Sequence, residues 1–454
     1  MTINHFFRYF FPIFLIFFFI DLEINLLSFS GEEGERVGAA AVNSDGAHIK
    51  KESQEIPLKI SDLIFISLFF CLICFVSATK DWKIDYKFWK HYFLVLGFIL
   101  LTSITIFLND SMSITQKIVC YLYLIKFFQA TLIYVFTFTY IKFGGSIRPI
   151  FQGLLITTVI MTFFGFLGSV SWNLGLPLDW SWIIPERVQY FGVLSILSLI
   201  WLVFLFKNLP SVELLGLTKN QLLVLFLMTF ITILLCDKRT VMLAYVVSIF
   251  FLFISSVSLR EIRKVVGYGF LVLLFTLPFL GGFLDRSFNA NDGITRNLAA
   301  GLAPKYVELV KDSSFSDIEL TGVDSSITER IVKNLYSVQL VYESPFVGSG
   351  YWSSPFAHNF LPDSALFQIL VETGILGFLL ISLFIFTGWS GSKPPIESSS
   401  FKGFNIIYRV GTVFIIIGGL AANTVYTFSL FGLLVLLSCL MRLSQFSLLE
   451  NKNT

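Results

Sequence analysis

The chain has 454 residues, of which 55% are hydrophobic and only 14% charged, and its mean hydropathy is +0.79. A soluble domain carries about 25% charged residues, and single soluble cores stop growing near roughly 250–300 residues. These figures exclude a water-soluble enzyme, a disordered protein and a nucleic-acid binder, and the near balance of 32 basic against 30 acidic residues implies no field for a polyanion. A polytopic membrane protein remains.

A spanning helix needs about 20 mostly apolar residues. Twelve stretches meet that need: 6–27, 60–79, 91–108, 118–141, 149–170, 188–206, 220–236, 240–258, 265–284, 363–388, 406–422 and 425–441. The first is interrupted by Arg8, Asp21 and Glu23. A cleaved signal peptide is the rival reading there, but its small-residue site, Ala39–Ala41, lies far beyond the apolar run. Cys71 and Cys74 form a C-x-x-C within the second span, flanked by Phe70 and Phe75, where packing is expected rather than redox chemistry.

Basic residues orient the spans. With the N-terminus inside, every cytoplasmic segment is basic, from Lys80, Lys83, Lys87 and Lys90 to Arg260, Arg263 and Lys264. The short outside loops hold only Lys117, Arg187, Lys238 and Arg239. This asymmetry predicts twelve spans with both termini cytoplasmic.

Two outside loops are long. Residues 28–59 read as a flexible polar hairpin. Residues 285–362 separate a membrane bundle over 1–284 from a second over 363–454, and they carry helical signals of their own. Ala303–Val310 reads as a short amphipathic helix. Ser326-Ile-Thr-Glu329 reads as a capping box, followed by Ile327, Ile331, Leu335, Val338 and Tyr342 at helical spacing. Pro345, Gly348 and Gly350 should stop that helix. No internal repeat suggests an inverted-repeat transporter.

Charge at membrane depth is costly and points to function. Asp237-Lys238-Arg239 interrupts an apolar stretch running from Leu222 to Phe253. One reading is a tight external turn with its charges in water. The other starts the next helix at Arg239, so that its guanidinium and the first N–H groups converge on an anion. Lys126 reads as a snorkelling side chain. His5 and His91 read as interfacial anchors, and His48 sits in the polar first loop. His358, in Pro355-Phe-Ala-His358-Asn359, is either an interfacial residue or a base for a hydroxyl proton. Asp363 and Glu372 follow it. Nucleotide-binding loops, zinc motifs and a serine nucleophile elbow are absent from the sequence. So is a D-x-D in the first external loop, so no metal or other cofactor is expected.

The stretch Arg330-Ile-Val-Lys-Asn-Leu-Tyr-Ser-Val-Gln-Leu-Val-Tyr-Glu-Ser-Pro345-Phe-Val-Gly348-Ser-Gly350-Tyr351 resembles bacterial O-antigen ligases and O-antigen polymerases. In that superfamily an Arg-led helix runs into a Pro-x-x-Gly-x-Gly-Tyr/Phe turn, then His-Asn, then Glu-x-Gly-x-x-Gly in the next span. Here these are His358-Asn359 and Glu372-Thr-Gly374-Ile-Leu-Gly377, and Lys238-Arg239-Thr240 is similar to a further family signature. Lys238 stands where a serine is common.

The resemblance implies an all-α membrane glycosyltransferase of the C type in the bacterial inner membrane, with its site on the periplasmic face. Its donor would be a glycan on undecaprenyl pyrophosphate, with a glycan or lipid acceptor, membrane lipid around it and a chain-length regulator as a further partner. It implies an inverting displacement with His358 as base or positioner. Arg239 and, less directly, Arg330 would hold the pyrophosphate, with Lys238 and Asn359 beside them. Arg286 and Arg296 are further candidates without a motif match. The leading expectation is a polymerase of lipid-linked repeat units. The alternatives are a ligase that moves a finished glycan to lipid A-core or protein, and a flippase or transporter.

Overall fold

The computed structural model describes residues 3–20, 28–30, 55–57, 60–78, 86–142, 144–173, 176, 184, 187–206, 214–236, 238–256, 334, 336–354, 362, 364–389, 399–421 and 428–445. The helices are α1 (Ile3–Ile20), α2 (Ile60–Ala78), α3 (Tyr86–Leu108), α4 (Ile114–Lys142), α5 (Ile147–Asn173), α6 (Arg187–Phe206), α7 (Lys219–Leu234) and α8 (Arg239–Ser256). They continue with a short α9 (336–343), α10 (Ala365–Thr387), α11 (Ser399–Ala421) and α12 (Phe428–Gln445). In hydrocarbon a backbone must satisfy its own polar groups, so these apolar runs form helices.

Among the described residues, seven helices are long and apolar enough to cross a membrane: α3, α4, α5, α6, α10, α11 and α12. Shorter apolar helices, Tyr9–Ile20, Ile60–Cys74, Lys219–Leu234 and Thr240–Ser255, coincide with four more of the expected spans. The expected span 265–284 lies outside the described residues, as do Ala303–Val310 and the capping box at 326–329. The protein is thus an all-helical, multi-pass membrane protein. One small exception is an antiparallel ribbon, β1 (Ser28–Ser30) against β2 (Glu55–Pro57), with Phe29 opposite Ile56. It joins the two ends of the polar segment after α1, most of which lies outside the described residues.

α6 and α12 are buried along nearly their whole length and form the centre. α12 packs on α4, α11, α6 and α1, while α3 packs on α10 and α4. α1 is built into the bundle: Phe11 and Phe14 are fully buried, and both set their rings edge-on to Phe136 of α4. Helices in lipid associate through close contact and hydrogen bonds, because their apolar surfaces gain nothing by leaving hydrocarbon. Polar side chains accordingly pin neighbours together. Trp201 Nε1 donates to Thr158 Oγ1 (2.9 Å, α6 to α5), Thr162 and Thr229 share a bond (3.0 Å, α5 to α7), and so do Ser198 and Tyr245 (2.6 Å, α6 to α8).

Two expectations about polar residues are corrected here. Lys126 does not snorkel: its ammonium forms an ion pair and hydrogen bond with Asp62 near the start of α2, and both side chains are largely buried. A paired charge avoids the cost of a lone ion at membrane depth. His91 is not an interfacial anchor. It is 2% exposed, its ring stacks on Phe384 at 4.4 Å, and its two nitrogens bond Thr387 Oγ1 and Ser438 Oγ, each at 2.5 Å. It therefore ties α3 to α10 and α12. Beside it, Arg442 donates to the carbonyl of Thr387 (3.2 Å) and Arg409 to that of Trp389 (3.0 Å). Two cations thus close the C-terminal end of α10, where carbonyls lack helical partners and the dipole is negative.

Candidate functional site

The junction of α7 and α8 is tight. α7 is opened by a reciprocal capping box between Thr218 and Gln221 and ends at Leu234, with Leu235 as its cap. α8 begins at Arg239, and the carbonyl of Lys238 accepts the N–H of Met242 at 3.0 Å as the first bond of the new helix. Lys238 is therefore the residue that opens α8, and its side chain is half-buried. Arg239 stands at the first helical position, as the anion reading requires. Its side chain, and Asp237, lie outside the described residues.

The second part of the site is an interlock between the turn after α9 and a break in α10. Gly374 has φ 62° and ψ −170°, which splits α10 into two half-helices. This conformation is open essentially to glycine alone. Each half-helix then has orphan backbone groups at the break, and the turn 345–350 supplies the partners. Ile375 N–H donates to Pro345 (2.8 Å) and Leu376 N–H to Phe346 (3.1 Å). In return Val371 accepts from Ser349 (3.1 Å) and Glu372 from Gly350 (2.6 Å). A broken helix at membrane depth is stable only when its freed groups are re-satisfied in this way.

This close embrace explains the glycines. A Cβ at Gly348 (φ +64°) would lie 2.5 Å from the carbonyl carbon of Glu372, and one at Gly374 would collide with the backbone of Phe346. A Cβ at Gly350 would meet Ile106 of α3 at 2.9 Å. Tyr351 follows, buried against Phe127 (5.3 Å) and Phe98 (6.4 Å). Burial raises its phenol well above the ordinary range, with the Glu372 carboxylate adding to the rise, so it stays neutral.

Glu372 is fully buried and works with both its main chain and its side chain. One carboxylate oxygen accepts the backbone N–H of Trp352 at 2.7 Å, and the other accepts Gln368 Nε2 at 3.1 Å. The far side of the turn rests on α3 and α4. Asn109 Nδ2 donates to the carbonyl of Ser349 (2.6 Å), and the indole of Trp352 stacks on Tyr123 at 4.5 Å. α3 and α10 are thus bound together at both ends, by Asn109 and the turn at one and by His91 at the other.

α9 ends at residue 343, just before Pro345, as expected. Val338 and Tyr342 are 53% and 87% exposed, whereas Ser337 and Leu340 are buried, Leu340 in contact with Val371. Leu335 lies outside the described residues, with Ile327 and Ile331.

Of the predicted site residues, the structure sets Lys238 and the backbone of Arg239 at the start of α8. His358, Asn359, Arg330, Arg286, Arg296 and Asp363 lie outside the described residues. It joins two motifs far apart in the sequence, Pro345–Tyr351 and Glu372–Gly377. Glu372 was visible in the sequence as part of a motif, but its contact with Trp352 was not. Asn109 carried no signal, since a single Asn in a short loop has many ordinary explanations.

A search of the curated proteins returned no match. A scan against protein families matches residues 223–382 to the O-antigen ligase family, Wzy_C. The matched segment begins within α7, includes the Lys238–Arg239 junction and the turn 345–352, and ends within α10 beyond the break at Gly374. The two features built above from geometry therefore fall inside one family domain, and the protein is a multi-pass membrane glycosyltransferase with a Wzy_C O-antigen ligase domain, an enzyme of polysaccharide biosynthesis.

Proposed function

We propose that the enzyme polymerises oligosaccharide repeat units carried on undecaprenyl pyrophosphate into a surface polysaccharide, at the periplasmic face of the inner membrane. The fold would be that of a C-type glycosyltransferase, with residues 285–362 on the periplasmic side and both termini in the cytoplasm. The family acts on lipid-linked glycans. The observation that carries the finer reading is Lys238-Arg239-Thr240 at the first turn of α8, within the family domain. This triplet resembles the polymerase branch more than the ligase branch.

In the proposed reaction the acceptor hydroxyl oxygen attacks the anomeric carbon of the donor sugar with inversion. The bond from that carbon to the pyrophosphate oxygen breaks, and the pyrophosphate leaves with the electron pair. His358 takes the hydroxyl proton. Arg239 and Arg330, with Lys238, meet the charge that grows on the leaving pyrophosphate, where a guanidinium offers a two-pronged donor that an ammonium lacks. Asn359 orients the substrate, and Arg286 and Arg296 add positive charge on the approach. No metal is invoked.

A second reading has support in the family's own description, O-antigen ligase. The donor chemistry is then the same, but the acceptor is lipid A-core or a protein. The transporter reading gives way to the family match. The test uses purified enzyme and a donor bearing one repeat unit. Wild type should give a ladder of longer lipid-linked products, and His358→Ala should give none while remaining folded in the membrane. A full ladder from His358→Ala would remove His358 as the base, and no ladder from wild type would remove the polymerase reading.

A further inference from the structure

We infer that Glu372 is a positioning residue of the transferase: its buried carboxylate holds Trp352 in a left-handed backbone conformation and so fixes the start of the segment that leads to His358. The inference rests on the reading of His358 as the base.

Trp352 has φ +58°, and among the described residues it is the one non-glycine with positive φ. That conformation crowds the Cβ of a bulky residue against its own backbone. Such strain persists only where the surroundings over-determine it, and it gathers at functional sites. Three contacts over-determine it here. The Trp352 N–H goes to Glu372 at 2.7 Å, its carbonyl accepts Cys120 Sγ at 3.5 Å, and its indole stacks on Tyr123.

The carboxylate does not stand alone. The main-chain carbonyl of the same Glu372 holds Gly350, so one residue fixes positions 350 and 352 together. Ser353 then bonds back to the carbonyl of Gly350 through its N–H (3.2 Å) and its hydroxyl (2.6 Å). The turn is thus tied down through residue 353, five positions before His358 in the sequence. A base displaced by about 1 Å can lose about a hundredfold in rate, so the trajectory of this short segment matters to catalysis. A turn that only closed the break in α10 would need the four main-chain bonds at 345–350 and no buried carboxylate.

The test measures kcat and donor KM of the full-length enzyme for Glu372→Ala, Glu372→Gln, Trp352→Gly and the double variant Glu372→Ala/Trp352→Gly, with His358→Ala in parallel. Glu372→Ala should lower kcat by about tenfold to a hundredfold, with donor KM changed by less than about twofold. Glu372→Gln should recover most of that loss, because its carboxamide oxygen can accept the Trp352 N–H. Glycine adopts positive φ unaided, so in the Trp352→Gly background the loss from Glu372→Ala should shrink to about threefold or less. If Glu372→Ala does not reach the membrane, Glu372→Asp replaces it, one methylene too short for the bond, with the same expected loss and the same relief by Trp352→Gly. An unchanged kcat in Glu372→Ala, or an equal loss in both backgrounds, overturns the inference alone when His358→Ala is inactive. Full activity in His358→Ala overturns the reading of the site, and this inference with it.

Discussion

Gly350 donates its backbone N–H to the carbonyl of Glu372 at 2.6 Å, and through this bond a loop turn completes a broken membrane helix. The two residues belong to motifs more than twenty positions apart, Pro345–Tyr351 and Glu372–Gly377. Their spacing in sequence conceals that they are one structural unit. The unit leans on α3 and α4 through Asn109, Ile106 and Tyr123, so it has a rigid support on the side away from α10.

Gly374 and Gly97 of α3 should differ in their tolerance of alanine. Gly374 combines a glycine-only conformation with contact against the backbone of Phe346. Gly97 is helical, and an added Cβ would make only ordinary contact with Leu380, at 3.7 Å. Gly374→Ala should cost about 3 kcal/mol or more, and Gly97→Ala clearly less. Thermal inactivation in detergent, followed by size-exclusion chromatography, orders the two. Equal midpoints would contradict the interlock.

The ion pair of Lys126 and Asp62 predicts a compensating double variant. Removing one partner leaves the other charge buried, at a cost of about 3–5 kcal/mol. Lys126→Met and Asp62→Asn should each lower the yield and midpoint sharply, and the two combined should recover most of the loss. If the double variant is as poor as the sum of the singles, the charges are not stabilising each other.

His91 is expected to be structural. Its ring fills a space between α3, α10 and α12 and satisfies Thr387 and Ser438. His91→Ala should lower stability by about 2–4 kcal/mol through the cavity and the lost bonds. Activity per folded molecule should stay within about threefold of wild type. An inactive but stable His91→Ala enzyme would contradict this assignment.

Arg239→Lys keeps the charge at the start of α8 but replaces a planar fork with a point charge. The proposed two-pronged hold on pyrophosphate predicts a loss of about tenfold or more in kcat/KM for the lipid-linked donor. Full substitution by lysine would mean that charge alone suffices.

The helices of the described residues were legible because the bilayer lets a backbone cross only as a helix or a closed barrel, and long apolar runs without alternation read as helices. The break in α7–α8 at Lys238–Arg239 was legible for the same reason, since charges end apolar runs. Partner choice was not legible. Nothing local to Lys126 names Asp62 on α2, and nothing local to His91 names Ser438 on α12. Which side of α9 meets the bundle was not legible either: Val338 and Tyr342 are exposed while Leu340 is buried, and the contact of Leu340 with Val371 exists only in the fold. The motif glycines stood out as a pattern, but the cause of the pattern is a contact between residues that only the fold brings together.

The central claim, chain growth on the lipid carrier, is tested most directly in a strain lacking this protein. Its undecaprenyl-linked glycans and its surface polysaccharide are extracted and sized together. The account predicts single repeat units on the lipid and no long chains in either fraction. Long chains stranded on the lipid and missing from their final acceptor would contradict it and identify the enzyme as a ligase.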